Sequence, residues 1–141
     1  LIHEHEVNIK GSKDIYKECS HAIKKKMCYN NVFNVLIYYG DKFRNNEWKV
    51  AYGYVDVIDG LMARHAFIVD ENGKAIDPTL ADRLEEGRDR KYVSFKIFDT
   101  LDEYLSTLEA NDNEPALYDA FRTKEMKANE WASKKQLILI T

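Results

Sequence analysis

Proline occurs twice, cysteine twice and glycine six times in 141 residues, and each scarcity excludes something. So little proline and glycine rules out a collagen-like or low-complexity chain. Two cysteines, Cys19 and Cys28, are too few to staple a disulfide-rich miniprotein. No apolar run approaches the ~20 residues that a membrane-spanning helix needs. Positive charge is not in surplus either. Lys+Arg 21 against Asp+Glu 24 leaves a net charge of −3, so the basic face of a nucleic-acid binder is not expected. With no repeat and no Pro/Gly/Ser-rich linker, residues 1–141 read as a single domain. What remains is 45% hydrophobic and 32% charged, the make-up of a globular chain long enough to enclose a core. The cysteines stand nine apart with no signal-peptide pattern before them, and the chain begins at Leu1 rather than Met. That usage suits a reducing, cytoplasmic compartment.

The order of elements follows from periodicity and punctuation. Residues 1–10 alternate and form either a short strand or a loose arm. Ser12 is placed to cap a helix from about Lys13, with Ile15, Cys19, Ala22 and Ile23 on one face. A second helix runs from Cys28 to Gly40, a natural stop, with Cys28, Val32, Val35, Leu36 and Tyr39 along its apolar stripe. Beyond Gly40 the pattern turns to strands. These are Trp48–Val57, Leu61–Val69 after an Asp59-Gly60 turn, and Lys74–Asp77 after Asp70-Glu71-Asn72-Gly73. A charged connection from Ala81 to Lys91 leads to a strand at Tyr92–Phe98. Thr100 and Glu103 form a capping box for a helix through about Leu108. A further helix over Pro115–Trp131 and a short strand at Gln136–Ile140 complete an α+β layout, with helices packed on an antiparallel sheet.

Chemistry is suggested by three residues far apart in the chain. Cys28 opens a helix, where unpaired N–H groups carry partial positive charge and favour the thiolate; the same groups suit an oxyanion. His65 lies in a strand, and Asp77 ends the next one. Their meeting depends on the intervening turn. A two-residue Asn72-Gly73 loop would send the two side chains to opposite faces. A three-residue loop, with Gly73 in the left-handed conformation, pairs Asp70 with Lys74 and Phe67 with Asp77. His65 and Asp77 then become diagonal neighbours on one face, and glycine at the third position favours that choice. Asn31, one turn past Cys28, is a candidate for oxyanion or substrate contact, and Trp48 for lining the cleft. His3 and His5 read as part of a solvated arm rather than a metal site, since no further ligand cluster accompanies them. Cys19 reads as helix core rather than as a disulfide partner of Cys28.

The stretches His65-Ala66-Phe67-Ile68-Val69-Asp70 and Asn72-Gly73-Lys74-Ala75-Ile76-Asp77-Pro78-Thr79 resemble the His and Asp motifs of transglutaminase-like and papain-like cysteine enzymes. The order Cys28, His65, Asp77 matches that superfamily, and the Asp-Pro-Thr sequence is typical of the transglutaminase-like branch. The resemblance implies a papain-like or transglutaminase-like core and a Cys28-His65-Asp77 triad. It implies a peptidase or amidase acting by acyl transfer on a protein or peptide substrate, with no cofactor and no metal. The alternatives on the same fold are an inactive binding module and a cross-linking transamidase.

Overall fold

The computed structural model of the chain describes residues 2–58, 60–85, 87–116 and 119–140. Among them are six strands and five α-helices in an α+β arrangement. Asp59, Glu86, Leu117 and Tyr118, parts of the turn, the connection and the last helix expected from the sequence, lie outside the described residues.

A short strand β1 (His3–His5) leads into helix α1 (Ile9–Cys19). Asn8, not Ser12, caps this helix: its side chain accepts from the Gly11 N–H at 2.8 Å. The helix therefore starts four residues before the expected position and encloses Ser12, which is fully buried. Helix α2 (Cys28–Tyr38) follows, and Gly40 does not end the helical segment but opens a short helix α3 (Gly40–Arg44). Tyr39 is the residue that closes α2, its N–H reaching back to the Val35 carbonyl. Strands β2 (Lys49–Ile58), β3 (Leu61–Val69), β4 (Ala75–Ile76) and β5 (Tyr92–Ile97) lie close to the expected positions. Thr100 caps α4 (Leu101–Ala110) by accepting from Glu103 N–H, and the Glu103 carboxylate reaches back to the Asp99 N–H. Helix α5 (Arg122–Lys134) starts well after Pro115, and β6 (Ile138–Ile140) ends the series.

The sheet runs β1-β5-β2-β3-β4, with β6 against the remaining stretch of β3. It is not wholly antiparallel, as the sequence pattern suggested. β6 pairs with β3 in parallel, because it returns through helical segments rather than a hairpin, the long connection that parallel pairing requires. Alternation on β2 and β3 divides the buried residues between two faces. Val50, Tyr52, Tyr54, Met62, Ala66 and Ile68 face α2 and the other helices in the larger core. Ala51, Val55, Phe67 and Val69 join Ala75 and Tyr92 in a smaller core on the opposite face. The N-terminal segment is no loose arm. β1 pairs with β5, and Val7 bridges to Ala75, so the segment spans from one edge of the sheet toward the other. His5 is fixed between them, donating from Nδ1 to the Gly73 carbonyl at 2.7 Å and accepting at Nε2 from Ser94 at 2.8 Å. Burial, the leading influence, holds its pKa below the ordinary histidine value.

Gly53 stands opposite His65 on β3 and at a register shift against β5. A Cβ there would lie 1.8 Å from the Val93 carbonyl oxygen, so only glycine lets β5 come this close. The Gly53→Ala variant is expected to lose about 3 kcal/mol or more of stability through overpacking against backbone. Denaturant unfolding checks this, and a loss below about 1 kcal/mol would show that the bulge relaxes freely.

Candidate active site

The site begins with a gap in strand pairing along one edge of β3. β6 pairs with residues 61–63 and β4 with residues 68–69, leaving residues 64–67 between them. The cause is in the sequence. In the β3–β4 register, Ile68 faces Ile76, so the next position on this edge would set Ala66 opposite Pro78. Proline has no N–H to contribute, and the chain turns away at Pro78–Leu80. Helix α2 meets the edge at this gap. The Ala66 N–H donates to Cys28 Sγ at 3.4 Å.

The β3–β4 turn has the three-residue form, with Asp70 N–H on the Lys74 carbonyl at 2.9 Å and Gly73 at φ +76°. Asp70 braces it by accepting from the N–H groups of Asn72 and Lys74, each at 2.9 Å. His65 and Asp77 consequently share a face, and His65 Nε2 donates to Asp77 Oδ2 at 2.9 Å. Cys28 is close enough to the same ring to help raise its pKa. With Nε2 on the carboxylate, Nδ1 is the ring atom left for the sulfur. The structure thus brings Cys28, His65 and Asp77 together at the β3 edge.

Asp77 is fully buried, and its carboxylate accepts four hydrogen bonds. Oδ2 takes His65 and the Tyr92 hydroxyl, the latter at 2.5 Å; Oδ1 takes the N–H groups of Thr79 at 3.0 Å and Leu80 at 3.2 Å. Its own N–H donates to Ser12 Oγ at 2.9 Å, while the Ser12 hydroxyl donates to the Asn8 carbonyl at 2.7 Å. Burial alone would raise the carboxyl pKa, but the His65 charge and these donors outweigh it and hold the pKa low. Burial likewise pulls on the imidazole, and the Asp77 charge and hydrogen bond, aided by Cys28, push its pKa up to about 10. Tyr92 is pushed far up, by burial first and the Asp77 charge second, so it remains a hydroxyl donor.

Two proposed site residues have other work. Asn31 is almost fully buried and its amide is committed. Oδ1 accepts from Lys24 N–H at 2.9 Å; Nδ2 donates to the Lys24 carbonyl at 2.7 Å and to Thr79 Oγ1 at 2.9 Å. It ties α2 to the Asp77-Pro78-Thr79 turn and has no donor left for an oxyanion. Trp48 packs against Tyr39 and Phe43, with Lys42 over its ring. That contact is at the far end of α2, about 16 Å of helix from Cys28 at 1.5 Å per residue, so Trp48 does not line the site. His21 is also remote, bonded to Tyr38 at 2.5 Å. Tyr92 and Ser12 were not legible as site residues. Their contribution depends on the β2–β5 register and on the early start of α1, neither of which sequence spacing shows.

Cys19 and Cys28 are both free thiols. Both residues are buried, Cys19 at 1% and Cys28 at 9% exposure. No group of three or more His, Cys, Asp or Glu is placed to hold a metal ion among the described residues. Among the described residues no helix is long and apolar enough to cross a membrane. Compared with known protein families, with characterised proteins and with solved structures, the chain finds no match.

The coupled pair has a signed pH signature. The raised His65 pKa contributes stability that is full below the unfolded value of about 6.5 and is lost as pH climbs through about 10. The lowered Asp77 pKa contributes stability present above the unfolded value of about 3.9 and lost as pH falls through the folded one. In an NMR titration, the His65 imidazole is expected to stay protonated through neutral pH and to titrate well above other histidines. Asp77→Asn is expected to lower it. A His65 midpoint near 6.5 in the unaltered protein would contradict the ion pair.

Proposed function

We propose that the protein is a cysteine-dependent acyl-transfer enzyme, a peptidase or amidase, with Cys28 as nucleophile, His65 as acid–base and Asp77 as the group that orients His65. The observation that carries this reading is the junction of all three at the β3 edge, with the imidazole held between a buried carboxylate and the thiol. The resemblance of the His65 and Asp77 stretches to transglutaminase-like and papain-like enzymes supports it.

In the cycle, Cys28 thiolate attacks the carbonyl carbon of an amide, forming a C–S bond as the carbonyl electron pair moves to oxygen. The helix start supplies donors for that oxygen. Met27, which precedes α2, makes no side-chain cap hydrogen bond to the first turn. Collapse breaks the C–N bond, and the proton on His65 passes to the departing amine. Water then attacks the thioester while His65 accepts its proton. Breaking the C–S bond frees the acid and restores the thiolate–imidazolium pair. Asp77 holds the ring orientation throughout and stabilises its cation.

Iodoacetamide at pH 7 is expected to alkylate Cys28 faster than an ordinary exposed thiol, leaving Cys19 unmodified. His65→Ala should slow the reaction by roughly tenfold or more. Peptide mapping of the labelled cysteine, with rates for both proteins, checks this. Slow labelling of Cys28 that is indifferent to His65 would favour an inactive binding module. Incorporation of a labelled amine into a glutamine-bearing protein would mark a transamidase instead of a hydrolase.

A further inference from the structure

Arg64 and Glu125 form an ion pair with little access to water, their side chains 11% and 14% exposed. Arg64 lies in the stretch of β3 left open between β4 and β6. Ala66, whose N–H is on Cys28 Sγ, is two residues further on, about 7 Å along the strand. Arg64 stands opposite Tyr54 on β2, and residues that are opposite or two apart share a face. Tyr54, Met62 and Ala66 all belong to the larger core, so the Arg64 side chain lies on the face where α2 presents Cys28. Burial works against the guanidinium charge. Glu125 outweighs it and raises the pKa, helped by Tyr54 and by Tyr29, the neighbour of Cys28 on α2. A buried ion pair holds a fold together little better than apolar side chains of the same volume. This one reaches β3 from α5, whose own buried residues are two alanines, Ala128 and Ala132. The Glu125 carboxylate is therefore exchangeable for another on the same guanidinium, a fork of donors shaped for that group.

From this geometry we propose that Arg64 is a substrate-binding residue that takes a carboxylate beside the bond Cys28 attacks, and that Glu125 occupies this subsite until substrate replaces it. The inference rests on the acyl-transfer reading above and adds the substrate class. The substrate is an amide with a carboxylate close by, supplied by an acidic side chain or by a chain terminus. Arg64 takes no part in making or breaking bonds; it places the amide against the sulfur.

The test labels Cys28 with two methanethiosulfonates, one carrying a 2-carboxyethyl group and one a neutral 2-hydroxyethyl group. In each reaction the thiolate forms an S–S bond and methanesulfinate leaves with the electron pair. Peptide mapping gives the ratio of the two rates at Cys28. Glu125→Gln, which leaves the guanidinium without that carboxylate, is expected to raise the ratio in favour of the carboxylate reagent roughly fivefold or more. Arg64→Gln is expected to lower it by a similar factor. These opposite signs separate a subsite from a loss of fold, which would move both variants alike. In Glu125→Gln protein, labelling by the neutral reagent should also be slowed, saturably, by N-acetylglutamic acid α-amide or by N-acetylglutamine, and not when Arg64→Gln is added. Stronger protection by the first marks an acidic side chain as the source of the carboxylate, and by the second a chain terminus. Unchanged ratios, or no protection by either acid, with rapid neutral labelling of Cys28 overturn the Arg64 subsite and leave the acyl-transfer reading standing. Sluggish neutral labelling of Cys28 that is indifferent to His65→Ala removes both.

Discussion

A buried carboxylate is the constraint around which this molecule is arranged. Asp77 has no contact with water, and an ionised carboxyl in that position is costly unless its lone pairs are met by donors. Those donors come from three parts of the chain. They are the imidazole on β3, the phenol on β5, and two N–H groups of the turn after β4, while Ser12 on α1 fixes the Asp77 backbone. Removing any one leaves the others facing a partly unsatisfied charge, so the elements are interdependent through a single group.

The second organising feature is an interruption. A strand edge with unpaired main-chain groups is normally a liability. Here Pro78 ends the β4 ladder two positions early, and Asn31 holds the resulting turn against α2. The vacated donor on Ala66 goes to Cys28. The helix belongs to one face of the sheet and His65 to the other, so only at an open edge do sulfur and ring meet. Fold and site thus share one cause: the residue that stops the sheet admits the Cys28 thiol.

Much of this was readable in the sequence where local rules fix geometry. Loop length and a left-handed Gly73 set the β3–β4 register, and the register put His65 beside Asp77. Cys28 opens its helix as the apolar spacing indicated. Reading failed where the partner is remote. Ser12 looks like a cap, yet Asn8 four residues earlier offers the same chemistry, and what makes Ser12 matter is a backbone N–H 65 residues away. Asn31 looks like an oxyanion donor until its bonds to Lys24 and Thr79 are known. Trp48 stands just before an aromatic-rich strand, and only the packing of Tyr39 and Phe43 shows which end of α2 it covers. The parallel placement of β6 depends on tertiary docking that no local spacing encodes.

The central claim is that this sulfur, ring and carboxylate act as one acyl-transfer unit. It is tested most directly by trapping the covalent intermediate with an activated ester of a short acyl group, rapid acid quench and peptide-level mass spectrometry. The account predicts a single acyl adduct on Cys28 that forms in the unaltered protein and decays with turnover, and that fails to accumulate in Asp77→Ala protein that remains folded. Acylation spread over lysines, or an adduct on Cys28 formed equally well without Asp77, would contradict it.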